Sequence, residues 1–476
     1  MKKTRISDFW LYKFRYQIAY GTLFLAYLAI IFHTIFIAPN GLTSAEIESA
    51  KSSANINFTN IFSGEIINLP FRLLQNLSIS IFGLSNFSIK LPAILISIAT
   101  VFAVIKLSHT WFSKGTATLA AILAIASGQF FFIAQNGTAE ILYIFYPILL
   151  IWLGAKFLET KKKRTLLPLA TVLALSFYTP LSIYIVLAFG LTILAHPHLR
   201  FALNREIEKK KRIIAVATFG VILLPLAIAV VRDFSIIKTI FGVPNSLNIF
   251  ENIGVLISNL FSFSSKNSGG VISPIISPPV LILIAIGLYF TFNAKHTAKS
   301  YLVNIWLIIL LLVCVINPNL TAILFTPILI LTITGLQSLI QTWYTIFPQN
   351  PYARVLGLIP ISFFVISLLL TSLNNFRQNY VYSPEIVLNF NQDLKLLAEN
   401  SDKNRVLMVS ENEKTFYEIL EKQKTAKIVS DFSDQEIIVS RAAFEKIEIP
   451  KNYKIKKIVV SERKDNTDRF YILTKS

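Results

Sequence analysis

Nothing constrains this chain more than its recurring apolar runs, many close to 20 residues long. A run of that length crosses a bilayer as a helix, because a helix satisfies every backbone N–H and C=O where no water is available. Eleven are read here: Ile18–Ala38, Ser88–His109, Thr116–Ala134, Gly137–Phe157, Leu166–Tyr178, Leu181–His196, Ile213–Val231, Pro279–Phe292, Tyr301–Ile316, Leu320–Leu336 and Val355–Leu373. The short pair flanks Pro180, where Tyr178-Thr179-Pro180 reads as a tight external turn or a kink. Charged residues are 15% of the chain, against roughly 25% in soluble domains. The fold class expected is an all-α polytopic membrane protein.

The charges sort by loop. Lys2, Lys3, Arg5, Lys13 and Arg15 precede the first run, and Lys161, Lys162, Lys163 and Arg164 follow the fourth. Arg200, Arg205, Lys209, Lys210, Lys211 and Arg212 follow the sixth, and Lys295 and Lys299 the eighth. Counted alternately, all fall on one side, which the positive-inside rule makes the cytoplasm. The opposite loops hold few cations: Lys51, Arg72 and Lys90, then Arg232, Lys238 and Lys266. The net charge of +19 therefore belongs to inter-span loops and not to one soluble face, which excludes a nucleic-acid partner. On this count residues 1–17 are a cytoplasmic N-terminus and residues 18–375 a plasma-membrane domain, with outer loops over about 39–87 and 232–277. The first run reads as a retained span, since no small-residue cleavage pattern follows it. Cys314 reads as a small buried hydrophobe.

Composition changes over residues 380–476, which hold most of the acids and no spanning run. "RVLMVS", "KIVSD", "EIIVS", "KIKKIVVSE" and "RFYILTK" read as strands, and "EIVLNFNQDLKLLAE" and "EKTFYEILEK" as helices. This predicts a small extracytoplasmic α/β domain.

Between Ile18 and Phe376 the carboxylates are Glu46, Glu48, Glu65, Glu140, Glu159, Glu206, Glu208, Asp233 and Glu251. None lies at mid-span, which argues against an ion-coupled carrier. Glu46 and Glu48, in "SAEIESAK", are two apart and point to different sides of a helix. With Ile47 and Ala54 against the membrane surface or other spans, Glu46 would turn toward a cleft. The plainer reading is a solvated acid favoured by the helix dipole. Glu140, in "AQNGTAEILYIF", is the third helical residue if Gly137 is the N-cap, and capping alone accounts for an acid there. The functional reading puts it at the outer mouth of the bundle. Lys90, Arg72 and Arg232 are outward cations at headgroup height, suited to lipid phosphate or to snorkelling at span ends.

These segments resemble the polyprenyl-phosphate-dependent membrane glycosyltransferases of the GT-C superfamily, which include protein O-mannosyltransferases and the lipid A aminoarabinose transferase family. In that family the first outer loop opens with Asp-Glu on a short helix; "TSAEI" looks similar, with Glu46 kept and Ala45 where the Asp is usual. "IFGLSNFSIKLPAIL" (Ile81–Leu95) is similar to the segment before the family's second span, with Lys90 in the basic position. Glu140 matches the acid at the outer start of the fourth span, and Gln135 stands where an arginine is common. The Lys-Pro-Pro often seen in the first loop is reduced to "NLPFR" (Asn68–Arg72). The resemblance is best up to about Thr160 and extends to the general layout beyond.

What the resemblance implies is transfer of one sugar from a polyprenyl-phosphate donor to a protein, lipid or glycan acceptor at the outer face, with inversion. Glu46 would be the base. Glu140 would support acceptor binding or a divalent metal ion. Lys90, Arg72 and Arg232 would surround the donor phosphate, among the membrane lipids. Two other classes stay open. A lipid or solute transporter calls for charged residues within spans and a two-fold repeat, and neither is visible. A non-catalytic envelope protein is brought forward by Ala45.

Overall fold

The computed structural model describes residues 10–36, 41–56, 62, 64–125, 127–159, 164–205, 208–244, 247–266, 270–294, 297–400, 405–432, 436–463 and 467–476. Lys2, Lys3, Arg5, Lys161, Lys162, Lys163, Glu206 and Lys295 lie outside the described residues.

Helix α1 (Arg15–Phe36) is followed by strand β1 (Leu42–Thr43), helix α2 (Ser44–Ala54) and helix α3 (Leu69–Phe82). Then come α4 (Asn86–Trp111), α5 (Lys114–Ile125), α6 (Gly128–Gln135) and α7 (Leu142–Glu159). The next helices are α8 (Leu166–Ser176), α9 (Ser182–Ala195), α10 (Lys209–Arg232) and α11 (Ile249–Phe261). A hairpin, β2 (Ser264–Ser265) with β3 (Val271–Ile272), leads to α12 (Pro278–Asn293), α13 (Ala298–Ile316), α14 (Phe325–Ile346) and α15 (Pro351–Tyr382).

Within the described residues every apolar run read from the sequence is helical. Among the described residues seven helices are long and apolar enough to cross a membrane alone, and α5 with α6 make an eighth bent by 57°. The third expected span is thus two helices. Ser127 caps the second, its hydroxyl accepting from Phe130 N at 3.1 Å. Helices α8, α9 and α12 are shorter apolar helices. At Pro180 the chain turns, with Leu181 at φ 68° and its N–H donating to Ile240 O at 2.8 Å.

Successive helix ends gather at two opposite ends of the bundle. At one end the Tyr20 hydroxyl of α1 lies 2.9 Å from His109 Nε2 of α4 and 3.2 Å from Thr118 Oγ1 of α5. Lys299 of α13 covers the Phe112 ring there, and His196 packs on Tyr301. At the other end Asn68 N donates to Tyr178 O at 2.7 Å and Asn317 Nδ2 to Gly242 O at 3.0 Å. Helices α12 and α14 approach most closely. A methyl at Gly287 would collide with Leu331 O, and one at Gly335 with Leu283 O. Small residues let backbones meet where lipid removes any hydrophobic drive between helices.

The last helix of the bundle, about 48 Å long at 1.5 Å per residue, packs Phe376 and Tyr380 into the bundle core and leads into the soluble domain. That domain contains β4 (Phe390–Gln392), α16 (Leu394–Glu399), β5 (Arg405–Met408), α17 (Glu411–Lys422), β6 (Ala426–Ile428), β7 (Glu436–Ser440), β8 (Tyr453–Val460) and β9 (Asp468–Lys475). Its sheet runs β6-β5-β7-β9-β8, with the first three strands parallel and the rest antiparallel. All five expected strands are present. The expected helix "EIVLNFNQDLKLLAE" is broken, however. Phe390–Gln392 pair antiparallel with β1, and Asp393 then caps α16 by accepting from Lys395 N and Leu396 N. Tertiary pairing overrides the local helical pattern there. Ile47 and Ala54 of α2 pack on a core that joins Leu394, Leu407, Phe416 and Phe470 of the domain to Ile79 of α3 and Ile89 of the spanning helix α4. Helix α2 is therefore clamped between bundle and soluble domain.

Candidate functional site

Thr43-Ser44-Ala45-Glu46 has the spacing of a capping box and forms one. Glu46 N donates to Thr43 Oγ1 at 3.2 Å, and Thr43 N donates to Glu46 Oε2 at 2.8 Å. The other oxygen, Oε1, accepts from Gly137 N at 2.8 Å and lies 3.7 Å from Lys90 Nζ. The Glu46 and Lys90 side chains are each 2% exposed. Lys90 also donates to Gly41 O at 3.2 Å. Glu46 is therefore not a solvated acid. It ties the first loop to α4 and to the turn between α6 and α7. With both oxygens hydrogen-bonded and the side chain buried, it is sealed from solvent in this arrangement.

The turn is tight. A Cβ added at Gly137 would sit 2.7 Å from Ile89 Cγ2 and 3.3 Å from Glu46 Oε1. Gln75 of α3 completes the junction. Its Nε2 donates to Ile89 O at 2.9 Å and Gly137 O at 2.8 Å, while its Oε1 accepts from Ser49 and Ser53 of α2.

Glu140 does not cap α7. Thr138 is the N-cap of a 3-10 turn, Ala139–Ile141, and makes no side-chain capping bond. The Glu140 side chain turns instead to Lys266 of the β2–β3 hairpin and pairs with it, and Asn136 Nδ2 donates to it at 3.5 Å. A full cation across the loop outcompetes the partial charge of a helix start. The Glu140 and Lys266 side chains are 17% and 14% exposed. They line a small cavity with Gln129, Phe132, Ser273 and Asn319. Ala45 borders the same hairpin, since a Cβ added at Gly270 would lie 3.7 Å from Ala45 Cβ and 3.2 Å from Lys266 Cδ.

The two arginine candidates are elsewhere. Arg72 donates to Ser52 O and Glu65 O, and the Glu65 carboxylate lies 3.7 Å away. Burial pushes its guanidinium below the usual arginine range, against the opposing effect of Glu65. Arg232 is exposed at the end of α10, with its guanidinium 5.5 Å from the Phe62 ring centroid. The fold thus brings Glu46 and Lys90 together, with Glu140 close by along the Gly137 turn, and leaves Arg72 and Arg232 outside the cluster.

The soluble domain adds two residues that carry no sequence signal. Arg463, in the polar turn between β8 and β9, is 2% exposed. Its Cζ lies 3.6 Å from the Phe390 ring centroid and 4.9 Å from that of Tyr380. Asp393 accepts from Asn86 Nδ2 at 3.4 Å, and burial pushes its carboxyl above the usual range. A cavity of about 130 Å³ opens between α12, α14 and α15, lined by Phe261, Phe263, Ile276, Phe325, Leu368 and Phe376. Phe376 stacks on Tyr380 at 5.0 Å, and Tyr380 meets Phe132 at 5.7 Å. Among the described residues no three His, Cys, Asp or Glu side chains are grouped to hold a metal ion. The oxygens of Glu46 and Glu140 are already taken by donors, so a divalent ion does not fit this arrangement.

The fold is thus a multi-pass helical bundle with a helical first loop and a soluble domain docked on that loop. Residues 70–229 match the family described as dolichyl-phosphate-mannose-protein mannosyltransferase. The structure is similar to ArnT from Cupriavidus metallidurans bound to undecaprenyl phosphate, with a TM-score of 0.53 and 12% identity over 95% of this chain and 97% of that one. It is also similar to the Archaeoglobus fulgidus oligosaccharyltransferase in the apo form, with a TM-score of 0.53 and 11% identity over 88% and 65% of the two chains. A third similar structure is AglB from the same organism in complex with an inhibitory peptide and a dolichol-phosphate, with a TM-score of 0.50 and 11% identity over 91% and 70%. No curated protein matches by sequence.

Proposed function

We propose that this protein transfers a sugar from a polyprenyl-phosphate donor to a hydroxyl-bearing acceptor at the outer membrane surface. The observation that carries this reading is the Glu140–Lys266 pair beside Ala45, next to an apolar cavity and in this architecture. The site end of the bundle is the outer one, because Lys13, Arg200, the run Lys209–Arg212 and Lys299 lie at the opposite end.

The chemistry needs one proton acceptor and one stabiliser of phosphate charge. Glu46 is sealed, so Glu140 is the better-placed acceptor. Its partner Lys266 belongs to the hairpin that borders position 45, where the resembling family keeps its Asp. The acceptor oxygen attacks the anomeric carbon as the bond from that carbon to the phosphate oxygen breaks. The phosphate leaves with the electron pair, and the acceptor's proton passes to Glu140. A single displacement inverts the anomeric centre. Glu140 must part from Lys266 to take the proton, which frees Lys266 to face the departing phosphate. Glu46 holds Lys90 and the first-loop helix in place.

Two observations favour a second reading, a non-catalytic relative: Ala45 carries no carboxylate, and the buried Glu46 accepts three hydrogen bonds and faces Lys90. Both readings meet in one experiment. Membranes containing the chain are given a radiolabelled polyprenyl-phosphate sugar, and label transfer is compared for wild type, Glu140→Gln and Glu46→Gln at matched protein levels. Transfer that falls on the order of a hundredfold or more in Glu140→Gln supports Glu140 as base. Transfer that survives Glu140→Gln but collapses in a correctly folded Glu46→Gln returns the role to Glu46. No transfer from any donor favours the non-catalytic relative.

A further inference from the structure

Arg463 is a buried cation with incomplete pairing. Its Nη1 donates to Tyr380 O at 2.6 Å, and its plane rests on Phe390. Its Nε and Nη2 have no hydrogen-bond partner, and no carboxylate pairs with it among the described residues. Buried, charged and unbonded N–H groups are costly, and native structures that keep them call for an explanation. The two open groups are those on one edge of the guanidinium. They point in parallel, at the spacing that matches two oxygens of one phosphate.

The surroundings say what would bring such a phosphate there. Phe376, one helical turn before Tyr380, lines the apolar cavity between α12, α14 and α15. Tyr380 meets Phe132, which lines the small cavity of Glu140 and Lys266. Glu46 and Asp393 are near enough to act on the charge of Arg463. Tyr380, which Arg463 contacts, thus links the linings of the two cavities.

We infer that Arg463 binds the phosphate of a lipid-linked donor through its Nε and Nη2 edge, with the lipid tail in the apolar cavity, so that the soluble domain completes the donor site. This rests on the reading that the donor is a polyprenyl phosphate. The Phe390 ring under the guanidinium and the Tyr380 ring set edge-on beside it hold the group in place, while Nε and Nη2 keep their hydrogen-bonding capacity unused.

The test uses the full chain in nanodiscs with undecaprenyl phosphate, undecaprenol and inorganic phosphate as probes. Wild type, Arg463→Met and Arg463→Lys are compared by melting temperature and by binding. Arg463→Met should weaken undecaprenyl phosphate by about tenfold or more, the scale of a lost charge-assisted bond. It should leave undecaprenol binding unchanged and should not lower the melting temperature without ligand. Arg463→Lys, which keeps the charge and loses the edge, should fall between. A melting temperature lowered in Arg463→Met with undecaprenyl phosphate affinity intact would make the arginine a strut and overturn the inference. An equal loss for inorganic phosphate would overturn its lipid part. If wild type binds undecaprenyl phosphate and the variants bind it equally well, the inference falls and the donor reading stands. If wild type does not bind it, the donor reading falls and takes the inference with it.

Discussion

Replacing Glu46 by Gln changes one oxygen to an NH₂ group and removes one charge, and the geometry allows no harmless placement for the amide. Oε1 faces the Gly137 N–H at 2.8 Å and Oε2 faces the Thr43 N–H at 2.8 Å. Either flip of the amide sets a donor against a donor. The change also removes the carboxylate that faces Lys90, whose side chain is 2% exposed. Removing one partner of a buried ion pair costs about 3–5 kcal/mol, a large share of the 5–15 kcal/mol typical of a folded domain. Lys90→Met, which fills a similar volume without charge, should offset much of that loss when combined with Glu46→Gln. The coupling should be roughly 2 kcal/mol, within the range for residues in direct contact. The assay is reversible thermal or denaturant unfolding in nanodiscs for wild type, both single variants and the double variant. A Glu46→Gln variant within about 0.5 kcal/mol of wild type would refute the reasoning. So would strict additivity of the two changes.

Other outcomes follow from single contacts. Gly287→Ala should destabilise by about 1–3 kcal/mol, because its methyl collides with Leu331 O and helices α12 and α14 must separate; a melting shift of the full chain reads it. Thr43→Ala should cost about 1 kcal/mol through the capping box at α2, measurable as faster proteolysis of the first loop. Burial raises the Asp393 carboxyl in the folded protein, so its contribution is fully present below the unfolded carboxylate range and is lost as pH rises through the folded value. Asp393→Asn keeps an N-cap and removes that titration. Its melting temperature should therefore vary less than wild type's between about pH 4 and pH 7, and an unchanged pH profile would remove Asp393 from the account.

Much of this organisation was legible in residue order. The apolar runs marked the helices, and the loops holding Lys209–Arg212 and Lys299 sorted to one end of the bundle. The five strands of the soluble domain were visible as alternating segments. The structure adds one more local feature, the capping box of Thr43 and Glu46, which decides how Glu46 is used. These features are local. Length, periodicity and caps act within one element, so they can be read from neighbouring residues.

Tertiary structure alone decided the partners. Glu140 meets Lys266 from 126 positions away, and Arg463 reaches the carbonyl of Tyr380 from 83 away. Phe390–Gln392 left a helical pattern because β1 offered a strand edge. Ala45 looked like the loss of a catalytic acid, yet it borders the hairpin that pairs with another one. A hairpin's docking and a domain's seat on a loop depend on how whole elements pack. No spacing along the chain encodes that, so a side chain's chemistry could be seen early while its neighbours could not.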